Sequence, residues 1–207
     1  MDKTELREWV RAWADVYPAG EDDPLAAFAG RDSLDHEALA VIVRWKFNNM
    51  AHREANATRY LAKEPERRIE DLTRRAFACN DDLGALLIVD VLRGVGPALG
   101  SSILMASDAE RYTVMDVRSL KSLRAISLLA PGWPQASERE WVDYLAACRA
   151  LRETTGEPLR RARERGPKEN ISSSKYGRYA LSRSPRSQAA TDKTIPSLVG
   201  TWPWRMA

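Results

Sequence analysis

Leu92-Arg93-Gly94-Val95-Gly96-Pro97-Ala98-Leu99 separates two stretches in which apolar residues recur at three- and four-residue steps. Upstream lies Leu83-Gly84-Ala85-Leu86-Leu87-Ile88-Val89-Asp90-Val91, and downstream Gly100-Ser101-Ser102-Ile103-Leu104-Met105-Ala106. Such steps are helical; a strand would alternate. The two glycines therefore stand at a hairpin between two buried helices, where they permit positive φ and a close approach of another backbone. Val95 is placed to plug the core between the helices, and Pro97 suits a first helical position because the N–H it lacks would have no partner there. The N–H groups of Gly96, Ala98 and Leu99 are then expected to point outward at a helix N-terminus, a ready site for one phosphate.

Outward from the hairpin the same period persists and strand signals are nearly absent, so the fold class expected is all-α. The first helix runs from about Thr4, a plausible N-cap, with Leu6, Trp9, Val10, Trp13 and Val16 on one stripe, and stops at Pro18 and Gly20. A loop through Asp23-Pro24 follows. Further helices are expected over 34–48, 51–63, 66–78, 81–92, 97–106, 117–129 and 138–154, the last opened by a capping box at Ser137-Glu138-Arg139-Glu140. Residues 1–156 read as one helical domain with its hairpin at 92–99, and residues 157–207 as a basic tail of low periodicity.

Composition narrows the class of function. The chain has 207 residues, 44% hydrophobic and 29% charged, with no apolar run near the roughly 20 residues that span a bilayer. Charged residues interrupt the first twenty positions, which argues against a secretory signal and makes a cytoplasmic protein the expectation. Cys79 and Cys148 have no His or Cys neighbours at ligand spacing, so no metal, cluster or cofactor is expected. The net charge of +3 is unevenly divided: residues 157–207 hold eleven Lys/Arg against four Asp/Glu, and residues 44–75 hold nine against five. The second stretch suits a polyanion, although a solvated helix face accounts for it equally well.

Twenty positions beyond Gly96, after Tyr112-Thr113-Val114-Met115, stands Asp116. The hairpin and this aspartate together resemble the helix-hairpin-helix DNA glycosylases of the endonuclease III-like superfamily, with Arg93 where that pattern has proline. The resemblance implies a helical bundle that binds double-stranded DNA carrying a modified base, flips the base out and hydrolyses its N-glycosidic bond. Gly94, Val95, Gly96, Ala98 and Leu99 would take the DNA backbone, helped by Arg53 and Arg118, and Asp116 would be the catalytic carboxylate. A fixed carboxylate stabilises the positive charge that develops on the sugar and can activate water. Asp116 also reads as the N-cap of the helix beginning at Val117, and both roles are compatible.

Members that also cut the strand carry a lysine two positions beyond the second hairpin glycine, which here is Ala98. The implied enzyme is monofunctional and leaves an abasic site unless another amine arrives. The one candidate is Lys46, at the polar end of an otherwise apolar stripe with Leu39, Ile42 or Val43, Asn49 and Arg53; a lysine that snorkels or pairs with an acid is the plainer reading. Trp45, Asn49 and Tyr112 are the expected base pocket, with core packing the plainer role of the aromatics. The pattern looks like a bacterial branch that includes anti-phage glycosylases for glucosylated hydroxymethylcytosine. Repair of oxidised or alkylated bases, and DNA binding without catalysis, remain alternatives. No membrane and no obligate protein partner is expected.

Overall fold

The computed structural model describes residues 3–14, 23–48, 50–132 and 135–156, and every regular element among them is an α-helix. In chain order these are α1 (Lys3–Ala14), α2 (Asp23–Ala26), α3 (His36–Lys46), α4 (Ala51–Leu61), α5 (Glu66–Phe77), α6 (Asp82–Asp90), α7 (Pro97–Ser107), α8 (Val117–Ala125) and α9 (Glu138–Thr155). The all-helical expectation is met. The tail expected over 157–207, and the first helix's stop at Pro18 and Gly20, lie outside the described residues, as does Asn49. None of the described helices is long and apolar enough to cross a membrane.

Helix α7 is the axis of the core. It carries no charged side chain, and every residue from Leu99 to Ser107 is buried. A helix apolar on all sides can be stable only when other helices surround it, and α3, α5 and α6 pack against it. Complete burial of Ile103 and Leu104 is worth about 1.5–3 kcal/mol each. The approach of α6 to α7 is set by Gly100: a Cβ there would lie 3.0 Å from Leu86 Cδ1 and 3.2 Å from Val89 Cγ2.

A second layer closes over the other side of α6. Helix α9 packs on α6 and α1, and its Trp141 and Tyr144 are fully buried. Tyr112, Trp141 and Tyr144 stack in series, with ring centroids 6.3 and 6.2 Å apart. Trp141 Nε1 donates to the carbonyl of Asp82 at 2.8 Å, which ties the ladder to the start of α6. The Asp82 carboxylate accepts from Arg149 Nη1 at 2.7 Å and Arg111 Nε at 3.1 Å, while Arg149 also donates to the Arg111 carbonyl. This clamp fixes the turn before Tyr112 against both helices.

Several local expectations are corrected. A helical turn, α2, replaces the simple loop through Asp23-Pro24; Leu25 and Phe28, both buried, draw it onto α3. Thr4 lies inside α1 rather than capping it. Helix α8 ends at Ala125, not 129, because the chain turns through Ser127 at φ 62°. The capping box at Ser137 does not form. Ser137 Oγ donates to Glu140 Oε2 at 3.3 Å instead of accepting an amide, because Glu140 is held by Arg124.

Candidate functional site

The hairpin is built against α4. Leu92 and Val95 are buried, as expected of the plug, and Val95 N–H donates to the Leu92 carbonyl at 3.0 Å. Gly94 sits at φ +84°, and a Cβ there would stand 2.8 Å from Tyr60 Cβ and 3.4 Å from the Ala57 carbonyl. A larger residue would be strained in conformation and in space. Arg93 is accounted for by its backbone: its N–H donates to Glu64 Oε1 at 3.2 Å, a bond proline cannot make. The Glu64 side chain is only 4% exposed and also pairs with Arg68 Nε at 3.2 Å and Arg93 Nε at 3.5 Å.

Beyond the hairpin, Gly96 is the N-cap of α7, extended at φ −114°, and no side chain caps the helix. A Cβ at Gly96 would meet nothing within 4 Å. The expectation of three outward donors narrows. Leu99 is buried, and its N–H bonds back to the Gly96 carbonyl at 2.9 Å as that carbonyl closes the first turn. The N–H groups of Gly96 and Ala98 make no backbone bond within the described residues.

Asp116 is positioned from both sides. Thr113, Val114 and Met115 are fully buried. Tyr144 Oη donates to the Val114 carbonyl at 2.6 Å, and Met115 N–H donates to Ser101 Oγ at 3.0 Å. Ser101 Oγ in turn donates to the Ala98 carbonyl at 3.0 Å, so one hydroxyl links the first turn of α7 to the residue before Asp116. Asp116 then caps α8: its Oδ1 accepts from Arg118 N–H and Ser119 N–H, each at 2.9 Å. Ser119 Oγ accepts from Asp116 N–H at 3.0 Å, which completes a capping box.

Lys46 reaches the same carboxylate from α3. Its Nζ lies 3.8 Å from Asp116 Oδ2, with the lysine side chain 5% exposed and the aspartate 25%. Two amide donors of α8 and a neighbouring ammonium surround one carboxylate. The lysine thus pairs with an acid, one of the two plainer readings of its sequence position, and that acid is Asp116.

The remaining predicted residues differ in exposure. Trp45 is half-buried beside Lys46, whereas Arg53 and Arg118 are exposed. Tyr112 is 2% exposed within the aromatic ladder, and burial pushes its phenol up to about 12; its hydroxyl has no hydrogen-bond partner among the described residues. Burial likewise raises the Tyr144 phenol well above its ordinary value, so it remains the donor that the Val114 carbonyl needs. Sequence reasoning missed Glu64, Ser101, Ser119 and Tyr144. Of these only Ser101, a hydroxyl inside an apolar run, carried a local signal. Comparison with family models, with curated proteins and with solved structures finds no match to this chain.

Proposed function

We propose that the chain is a monofunctional DNA glycosylase in which Asp116 is the catalytic carboxylate and Lys46 is the cation paired with it. The observation that supports this best is the placing of Asp116. It is fixed by two amides of α8, faced by a buried ammonium at 3.8 Å, and tied through Ser101 to the open N-terminus of α7. DNA held at the amides of Gly96 and Ala98 would present a flipped nucleotide toward that carboxylate, with the half-buried Trp45, next to Lys46, as one wall.

As the C1′–N bond breaks, its electron pair leaves with the base and the sugar becomes oxocarbenium-like. Asp116 stabilises that charge and takes a proton from an incoming water, whose hydroxyl joins C1′; the proton passes on to the departing base. Free base and an abasic site result. Ala98 supplies no amine at the hairpin, and Lys46, the one other candidate amine, is engaged with Asp116, so the proposed reaction ends at the abasic site. Glucosylated hydroxymethylcytosine is the favoured substrate on resemblance alone, ahead of oxidised or alkylated bases. A second reading, DNA binding without catalysis, draws on the engagement of both Asp116 oxygens, one by the cap and the other by Lys46.

Wild-type and Asp116→Asn protein incubated with unmodified, oxidised or alkylated, and glucosyl-hydroxymethylcytosine DNA separate these readings. Asparagine caps a helix as well as aspartate does, so loss of abasic sites with DNA binding intact identifies the chemistry. Salt-dependent binding with no abasic sites in any substrate leaves the second reading.

A further inference from the structure

One face of α4 carries cations and hydrogen-bonding groups and no carboxylate. At 100° per residue, His52, Asn56, Arg59 and Tyr60 fall on one side, and Lys63 continues it in the turn that follows. Glu54, the only acid of the helix, is half-buried on the other side, and the charge of Glu64 is buried against Arg68 and Arg93. The face is also pre-arranged. His52 Nε2 and Asn56 Nδ2 are 3.0 Å apart, and Arg59 Nη2 donates to Asn56 Oδ1 at 3.3 Å. The Tyr60 ring, 40% exposed, holds the Arg59 guanidinium 5.0 Å and the Lys63 ammonium 5.8 Å from its centroid.

This face adjoins the hairpin, since Gly94 packs directly on Tyr60 and Ala57. We propose that the hairpin amides and the α4 face form one track for successive phosphates of a DNA strand. The amides of Gly96 and Ala98 take one phosphate, and Arg59 with Lys63 take the next. Tyr60 is a positioning residue that keeps both cations over the track. The cations match the regularly spaced negative charge of a duplex backbone, and the absence of acid along the face leaves that match unopposed. The inference rests on the reading of this protein as one that acts on DNA, and it adds binding residues outside the reaction.

The test is the salt dependence of binding to a fluorescein-labelled 20-base-pair DNA duplex, followed by anisotropy. The variants are Arg59→Ala/Lys63→Ala, Tyr60→Leu, and an equal change of charge at the far end of α5, Arg74→Ala/Arg75→Ala. The first double variant is expected to reduce the slope of log Kd against log salt by about two, one for each cation removed from the backbone, and to weaken binding about tenfold or more at low salt. Tyr60→Leu is expected to weaken binding less, and the α5 variant to keep the wild-type slope. An unchanged slope in Arg59→Ala/Lys63→Ala, an equal loss in the α5 variant, or a wild type that does not bind the duplex at low salt would each overturn the track. Base release at saturating DNA is read alongside, from duplexes carrying glucosylated hydroxymethylcytosine and oxidised or alkylated bases. Its absence with the expected change of slope defeats the glycosylase reading and leaves the track standing, whereas its presence with an unchanged slope does the reverse.

Discussion

Helices α7 and α8 begin in opposite ways. The cap of α7 is Gly96, with no side chain over its first amides, and that of α8 is Asp116, whose own oxygen takes two amides at 2.9 Å. Both ends carry the same partial positive charge from the aligned peptide dipoles. One therefore leaves its field open to an anion from outside, and the other has satisfied it with an anion of its own. Ser101 joins the two ends through a single hydroxyl. The uncapped start of α7 and the carboxylate that caps α8 are thus linked through one protein atom, as the proposed reaction on a sugar between phosphates would require.

The comparison breaks most severely at the carboxylate. Asp116→Asn is expected to lower base release by at least about a hundredfold, the scale of losing one preorganised electrostatic group, and to lower thermal stability through the buried Lys46 ammonium that loses the carboxylate it faces. Asp116→Ala should lose the same activity and also about 1 kcal/mol of stability through the missing cap. A thermal melt of both variants beside an abasic-site assay checks the pair.

Breaking the link is expected to cost less. Ser101→Ala leaves the buried Met115 N–H without its acceptor, a loss of about 1–3 kcal/mol measurable in urea. Base release should fall beyond what the lost folded fraction explains.

Exchanging the caps sharpens the contrast. Gly96→Asp fits the extended backbone, and its Cβ meets nothing within 4 Å. It should give α7 an anion of its own, raise stability by a few tenths of a kcal/mol and weaken DNA binding by about tenfold, the scale of one displaced phosphate. Unchanged DNA affinity in this variant would mean that the amides of α7 are not where the backbone sits.

The smallest effect belongs to the start of α6. Burial pushes the Asp82 carboxyl up, but Arg149 and Arg111 outweigh it and hold the group below the ordinary 3.8. A carboxyl lowered on folding stabilises the protein above its unfolded value, and the contribution is lost as pH falls through the folded one. Asp82→Asn should flatten the stability curve below about pH 4 and shift the acid-unfolding midpoint upward, followed by circular dichroism.

What could be read from sequence was the part written in neighbouring residues. The uncharged run of α7 announces a central helix, and Gly94-Val95-Gly96-Pro97 announces a hairpin, because period and turn chemistry are local. Helix α2, four residues long, is too short for any period to register. The Ser137 cap failed because Glu140 found Arg124 across the fold, and no local pattern records a competitor. Lys46 showed only as a polar end to an apolar stripe; that its partner would be Asp116 depended on how α3 packs against α7.

The bond between Arg93 N–H and Glu64 constrains descent. A chain that puts proline at 93 while keeping glutamate at 64 strands a buried carboxylate without one of its donors, so the two positions are free to change only together. Relatives of this protein should accordingly fall into two groups, one with the acid and an amide, the other with the imino ring and no acid. A lineage passing between them would have to cross a step at which Glu64 keeps Arg68 but loses the amide, or the amide loses its acceptor.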